Sequence, residues 1–80
     1  MADTTLTRIQ KIVAQQLKKK PEQIIPKARL REDLNADSLD AMEIIMSIEE
    51  EFDIHIHETE ARKVVVVQDI VDYVTKKAVA

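Results

Sequence analysis

Residues 37–52, DSLDAMEIIMSIEEEF, have the pattern that decides the fold of this chain. Four apolar residues recur along the stretch at helical spacing and predict one buried face: Met42, Ile45, Ile48 and Phe52. We therefore predict a helix from about Ser38 to Glu51. Asp37 is a suitable N-cap, and Asp40 falls in the first turn, where a negative charge complements the helix dipole. Ser38 thus lies where a loop ends and a helix begins.

Helical spacing also appears on both sides of this stretch. Five apolar residues predict a first helix from about Thr4 to Leu17: Leu6, Ile9, Ile12, Val13 and Leu17. After a short extended stretch, Asp53–His57, we predict a brief helix around Glu58–Lys63 and a last helix from about Val67 to Lys77. The run Val64–Val67 favours a strand by propensity, but such a strand would have no obvious partner. The prediction is an all-α fold, a small bundle of three longer helices plus one short helix.

Residues 21–36 form a long connection, punctuated by Pro21 and Pro26. Four apolar residues are expected to pin it to the core: Ile24, Ile25, Leu30 and Leu34. A loop of this length is uncommon in so small a domain, and it is therefore a hint of function.

The composition excludes several classes of protein. Residues 1–80 allow a single domain, and a chain this short leaves little room for a deep enzyme active site. The chain has no Cys, so it forms neither a disulfide nor a thiolate metal site. No apolar run approaches the roughly 20 residues that span a bilayer, and the first residues do not resemble a secretory signal. We expect a cytoplasmic protein, or one in an organelle if a transit segment has been removed.

The charges are unevenly distributed, although the formal net charge is only −3. Residues 33–53 contain eight acids and no Lys or Arg, whereas the remaining residues carry seven acids against twelve bases. This concentrated negative surface would repel nucleic acid and attract a basic protein partner.

The residues alone leave two interpretations of Ser38 open. A catalytic nucleophile is not favoured, because the chain's two histidines, His55 and His57, follow the far end of the predicted helix, roughly 20 Å away. The glycines of a nucleophile elbow are also missing. Ser38 is then either an N-cap serine or a site of covalent modification, and we expect no enzyme activity.

A second feature of the predicted helix is an acidic stripe that contains apolar residues. Leu39 and Met46 lie within about 20° of each other around the helix, with Glu43 and Glu50 beside them. The two apolar side chains either pack peripherally or form a docking patch, to which the acids would steer a basic partner. His55 and His57 lack a third ligand nearby, so we expect a solvated loop there and no metal site.

With these features, the chain resembles the acyl carrier protein family. The stretch DLNADSLDAMEIIMSIEEEF is similar to that family's helix, with its D-S-L signature and trailing acidic residues, and FDIHI and VVQDIVDYV extend the similarity. The resemblance implies that Ser38 receives 4′-phosphopantetheine from coenzyme A through a holo-carrier-protein synthase, a phosphopantetheinyl transferase. The arm would carry growing acyl chains as thioesters to basic-surfaced fatty acid synthesis enzymes and acyltransferases, and the carrier would be a monomer.

The resemblance also implies roles for further residues. Positions that partner enzymes usually contact correspond to Asp37, Leu39, Asp40, Glu43, Met46, Glu49, Glu50 and Ile56. Positions that line an acyl pocket between the helices correspond to Met42, Ile45, Ile48, Ala61, Val64 and Ile70.

The chain departs from the family pattern at several positions. Asn35 stands where Gly is common, but Asn also tolerates a left-handed backbone. Val65 and Val66 replace residues that often cap the last helix. Arg62 and the large Ile70 keep open a carrier for a specialised acyl, polyketide or aminoacyl product. An unmodified acidic helical adaptor is the alternative from another class.

Overall fold

A computed structural model describes residues 4–79 of the protein, and within that range the chain forms four α-helices and a short 3₁₀ turn. The elements are α1 (Thr5–Leu17), the 3₁₀ turn (Pro21–Gln23), α2 (Ser38–Phe52), α3 (Glu58–Arg62) and α4 (Val67–Val79). The predicted helices are confirmed, as is the bundle of three longer helices and one short one. No helix within residues 4–79 is long and apolar enough to cross a membrane.

The core is formed where α1, α2 and α4 meet. Each helix contributes fully buried aliphatic side chains at helical spacing: Ile9 and Val13 from α1, Ile44 and Ile48 from α2, and Val67, Ile70 and Val74 from α4. Among the residues whose burial the structure describes, no buried residue is polar or charged, so packing alone fills this core.

One pair of side chains fastens α1 to the far end of α2. The Arg8 guanidinium donates to Glu51 Oε2 through Nε at 2.9 Å and Nη2 at 2.7 Å, and Nη2 also donates to the Glu51 backbone carbonyl. The same guanidinium lies over the Phe52 ring, 4.3 Å from its centroid. The hydrogen bonds from Nε and Nη2 and the contact with the Phe52 ring fix the orientation of the Arg8 guanidinium, and they hold α1 against the end of α2.

The buried face of α2 differs from the predicted face. Met42 was expected inside but is 60% exposed, whereas Ile44, which the predicted face omitted, is 0% exposed. Ile44 and Ile48 are one turn apart and belong to the core cluster, while Met42 lies about 60° beyond Ile45 around the helix. The spacing therefore placed the helix correctly but its apolar face at the wrong rotation.

The long connection lies on the core through three of the four predicted residues. Ile24, Leu30 and Leu34 are buried, but Ile25 is 53% exposed, so its predicted burial is wrong. The backbone carbonyl of Ile24 accepts a hydrogen bond from the Gln10 side chain at 2.9 Å. This hydrogen bond holds the connection against α1, with the Ile24 side chain buried and the Ile25 side chain exposed.

The segment before α4 has a partner that the sequence did not indicate. The Leu30 N–H donates to the Val65 carbonyl at 3.0 Å and the Val67 N–H donates to the Ala28 carbonyl at 3.1 Å, which forms one antiparallel bridge between Arg29 and Val66. The expectation that this segment would lack a pairing partner is therefore wrong, although the pairing is a single bridge and not a strand. It holds the long connection against the start of α4.

The start of α4 is capped, although Val65 and Val66 have no side-chain oxygen that could serve as a cap. Asp69 Oδ2, from the first turn of α4, accepts hydrogen bonds from the backbone N–H groups of Val65 at 2.9 Å and Val66 at 3.0 Å. The carboxylate thus reaches back to the donors that precede the helix, and a side chain inside the helix supplies the capping that Val65 and Val66 cannot.

Candidate functional site: the start of α2 and the adjoining cleft

The first turn of α2 is closed by a reciprocal pair of aspartates. Asp37 Oδ1 accepts from the Asp40 N–H at 2.8 Å, and Asp40 Oδ2 accepts from the Asp37 N–H at 3.3 Å. This confirms Asp37 as the N-cap. The first helical hydrogen bond is donated by the Ala41 N–H, so the N–H groups of Ser38 and Leu39 have no intrahelical partner.

Ser38 is exposed at this terminus, and its hydroxyl contacts an arginine from the long connection. Arg31 Nη2 donates to Ser38 Oγ at 3.2 Å. A guanidinium stays protonated in proteins, so Arg31 cannot remove the serine proton. The hydroxyl is accessible to a modifying enzyme, and the group beside it is a cation suited to an anion.

The backbone that leads to Ser38 is held by a compact set of turns. The Ala36 N–H donates to the Leu30 carbonyl at 2.8 Å, and Leu34 and Ala36 are both buried. Between them, Asn35 has a φ of 58°, in the left-handed region. The prediction that Asn preserves this turn in place of Gly is confirmed, and the turn directs the chain outward at Asp37.

A carboxylate inside the same connection is held ionised. Asp33 Oδ2 accepts from the Arg29 backbone N–H at 2.8 Å and lies 3.4 Å from the Arg29 Nε. The backbone hydrogen bond, followed by the side-chain hydrogen bond, lowers the pKa of Asp33 from its ordinary value of 3.8. Arg29 is thereby engaged with Asp33 and, through a second ion pair, with Glu32.

A cleft of about 1070 Å³ opens beside Ser38, between α2, α3 and the long connection. Its apolar lining includes Met42, Ile45, Met46, Ile56, Ala61 and Val64. The lining also includes Ser38 and charged residues of both signs: Arg29, Arg31, Glu32, Glu49, Glu58 and Arg62, together with His55. An apolar cavity with a few converging polar groups is typical of a ligand site.

The cleft contains four of the six predicted acyl-pocket residues. Met42, Ile45, Ala61 and Val64 line it. Ile48 and Ile70 do not line it but are buried in the core, and their assignment to an acyl pocket stays a prediction.

The predicted docking residues differ in exposure, and two of the exposed acids also accept hydrogen bonds, Asp37 from the Asp40 N–H and Glu43 from the Gln16 side chain. Leu39 is 61% and Met46 is 54% exposed, which does not fit peripheral packing. Three acids beside them, Asp37, Glu43 and Glu50, are also exposed, whereas Asp40 is half-buried in the capping pair. We call the surface formed by Leu39, Met42, Glu43, Met46 and Glu50 the α2 patch.

Glu49 and Ile56 are less exposed than the residues of the α2 patch, and their docking role stays a prediction. Glu49 is partly buried, and its Oε2 accepts from the Ile56 N–H at 2.8 Å and lies 3.3 Å from His55 Nδ1. Ile56 is buried and faces the cleft. Both residues connect the end of α2 to the wall of the cleft.

The two histidines form an edge-to-face pair, with ring centroids 5.0 Å apart. Within residues 4–79, no group of three or more His, Cys, Asp or Glu side chains is placed to hold a metal ion.

Comparisons with known proteins assign the chain to a family. The family model described as "Phosphopantetheine attachment site" matches residues 7–74. The chain is 48% identical over 75 residues to the acyl carrier protein of Thermosynechococcus vestitus, covering 94% of this chain and 93% of that protein. A solved structure of acyl carrier protein from Enterococcus faecalis, described in terms of its high thermal stability, superposes with a TM-score of 0.76 at 30% identity, covering 90% of this chain and 91% of that one.

The matches define a carrier domain with a phosphopantetheine attachment site. The chain belongs to the acyl carrier protein family. The predicted family and the carrier role are therefore confirmed.

The residues at the start of α2 fit a phosphopantetheine group. Ser38 offers an exposed hydroxyl. The backbone N–H groups of Ser38 and Leu39 and the Arg31 guanidinium can donate hydrogen bonds to phosphate oxygens, and the cleft begins beside them. The sequence did not predict the contact between Arg31 and Ser38. The two residues are seven positions apart, and only the turns between them bring the side chains together.

Proposed function

We propose that Ser38 Oγ is the atom to which 4′-phosphopantetheine is covalently attached. The observation that carries the proposal is the exposed Ser38 hydroxyl at the start of α2, on the lining of an apolar cleft. The matched family model supports the group, and the geometry around Ser38 supports the atom. The terminal thiol of the attached arm supplies the group that binds an acyl chain as a thioester.

The attachment requires an external enzyme and coenzyme A. The bond formed joins Ser38 Oγ to phosphorus, and the bond broken lies within the coenzyme A pyrophosphate, so the nucleotide half leaves and the serine proton passes to the transferase. Ser38 is hydrogen-bonded to Arg31 and to no general base within residues 4–79. This arrangement supports a chain that is a substrate of the transferase and not itself an enzyme.

We further propose that the cargo is the growing acyl chain of fatty acid synthesis. The cleft has an apolar interior that would shelter such a chain, at about 0.8 kcal/mol for each methylene removed from water. The α2 patch combines exposed apolar residues with acids, which supports docking of basic-surfaced enzymes. Mass-spectrometric identification of the chain on the native protein tests this proposal, and a polyketide or aminoacyl product would contradict it.

The attachment is tested by intact mass after co-expression with a phosphopantetheinyl transferase. We expect the mass to increase by one phosphopantetheine group, and Ser38→Ala to abolish the increase. The chain has one other serine, Ser47, which is exposed on the same helix, so Ser47→Ala is a matched control that should still be modified. Modification of Ser38→Ala, or no modification of the wild-type protein, would refute the assignment and favour an unmodified adaptor.

A further inference from the structure

We propose that Arg31 binds the phosphodiester of the arm and thereby sets the direction in which the arm leaves Ser38. The inference rests on the proposed attachment at Ser38. It assigns a positioning function to a residue of the long connection that lies outside α2.

The distance between the two side chains places Arg31 within reach of a phosphate. Its Nη2 is 3.2 Å from Ser38 Oγ, the atom that would bond to phosphorus. The non-bridging oxygens would lie one bond beyond phosphorus, close to the same guanidinium. A guanidinium presents several N–H donors in a plane that matches two phosphate oxygens.

Arg31 is available for this role because no carboxylate of residues 4–79 forms an ion pair with it. The other three arginines of the chain form ion pairs: Arg8 with Glu51, Arg29 with Glu32 and Asp33, and Arg62 with Glu58. Within residues 4–79, Arg31 has no carboxylate partner, and its hydrogen bond goes to Ser38. A bound phosphodiester would therefore displace no ion pair of the described structure.

The surrounding negative charges favour a cation beside the phosphodiester. Two acidic residues, Asp37 and Asp40, lie beside Ser38 in the same turn. The whole segment 33–53 has eight acids and no base. The helix N-terminus offsets this repulsion only in part, and Arg31 adds a full positive charge beside Ser38 from outside the segment.

The position of Arg31 has a consequence for the path of the arm. Arg31 and Ser38 both line the cleft, so a phosphodiester between them lies at the cleft and not on the solvent side of α2. Loss of the guanidinium should therefore release the arm into solvent more often. Since the contact is exposed, we expect about a 2- to 5-fold decrease in the docked population, as for an exposed charge pair.

The test compares unmodified and modified protein by NMR, with complete loading verified by intact mass. In protein with isotope-labelled arginine, the Arg31 side-chain N–H resonance should shift on modification, whereas that of Arg8, held by Glu51, should not. Phosphorus NMR of modified Arg31→Gln should show a narrower line than wild type, because the phosphodiester reorients faster. Arg31→Lys should give an intermediate width, since it keeps the charge but loses the planar fork.

The control is Lys27→Gln, which removes one positive charge from an exposed residue of the same connection and should leave the phosphorus line unchanged. An unshifted Arg31 resonance in fully modified wild-type protein would overturn the inference, as would equal line narrowing in Lys27→Gln. Failure of wild-type protein to be modified at Ser38 would instead refute the proposed function, so the two failures are distinguishable.

Discussion

Shortening Ile44 to valine should destabilise the protein measurably, although the change removes a single methylene. Ile44 is 0% exposed and belongs to the core cluster on the buried face of α2. Removing a buried methylene loses about 0.8 kcal/mol of transfer free energy, and the cavity left behind brings the usual cost to about 0.5–1.5 kcal/mol. For a domain of this size, about 1 kcal/mol lowers Tm by roughly 4–8 °C.

The matched control is Ile25→Val, which removes the same methylene from a side chain that is 53% exposed. At Ile25 only about half of the transfer free energy of the methylene is lost, and no closed cavity forms. We therefore expect the free energy of unfolding to fall by less than about 0.4 kcal/mol and Tm by less than roughly 3 °C. Both variants would be measured by thermal unfolding and by urea unfolding, each followed by circular dichroism. A Tm decrease in Ile25→Val as large as that in Ile44→Val would refute the burial pattern described for α2 and the long connection.

Two further predictions concern charge. Asp33→Asn should be less stable than wild type above pH 3.8, because the lowered pKa of Asp33 means that its ionised form stabilises the fold. The difference in stability should shrink as the pH falls through the native pKa of Asp33. Urea midpoints over a pH series would measure this difference, and a difference independent of pH would contradict the account. Glu50→Lys, on the exposed α2 patch, should weaken binding to a basic partner enzyme by about 2- to 5-fold and flatten the salt dependence of its Kd. Glu22→Lys, on the 3₁₀ turn, makes the same charge change away from the patch, and an equal loss of affinity there would argue against docking at α2.

The helices and the position of Ser38 were predictable because their signals are local. A helical period, an N-cap at Asp37 and a residue tolerant of the left-handed region at Asn35 each act within a few residues of the chain. The long connection was recognised for the same reason, since Pro21 and Pro26 interrupt any regular element.

The errors arose where adjacent apolar residues compete for one inward position. Ile24 and Ile25 are identical in type, as are Ile44 and Ile45, so only packing against the rest of the fold decides which side chain of each pair is buried. Contacts between segments that are distant in sequence were also not predictable from the sequence pattern. The bridge between Arg29 and Val66 depends on how the bundle closes, and no spacing rule connects the two residues.

Met42 was the most informative of these errors, because a residue expected in the core is instead exposed where the α2 patch meets the cleft. Large contiguous apolar surface is uncommon on monomeric proteins and usually marks a binding site. Leu39, Met42 and Met46 form such a surface, and unbranched methionine side chains adapt to differently shaped partners. Adaptable side chains beside Ser38 would suit the proposed docking of more than one enzyme better than a rigid, buried face would. Met42 also lines the cleft, so a partner docked on the α2 patch would touch a side chain that borders the proposed cargo site.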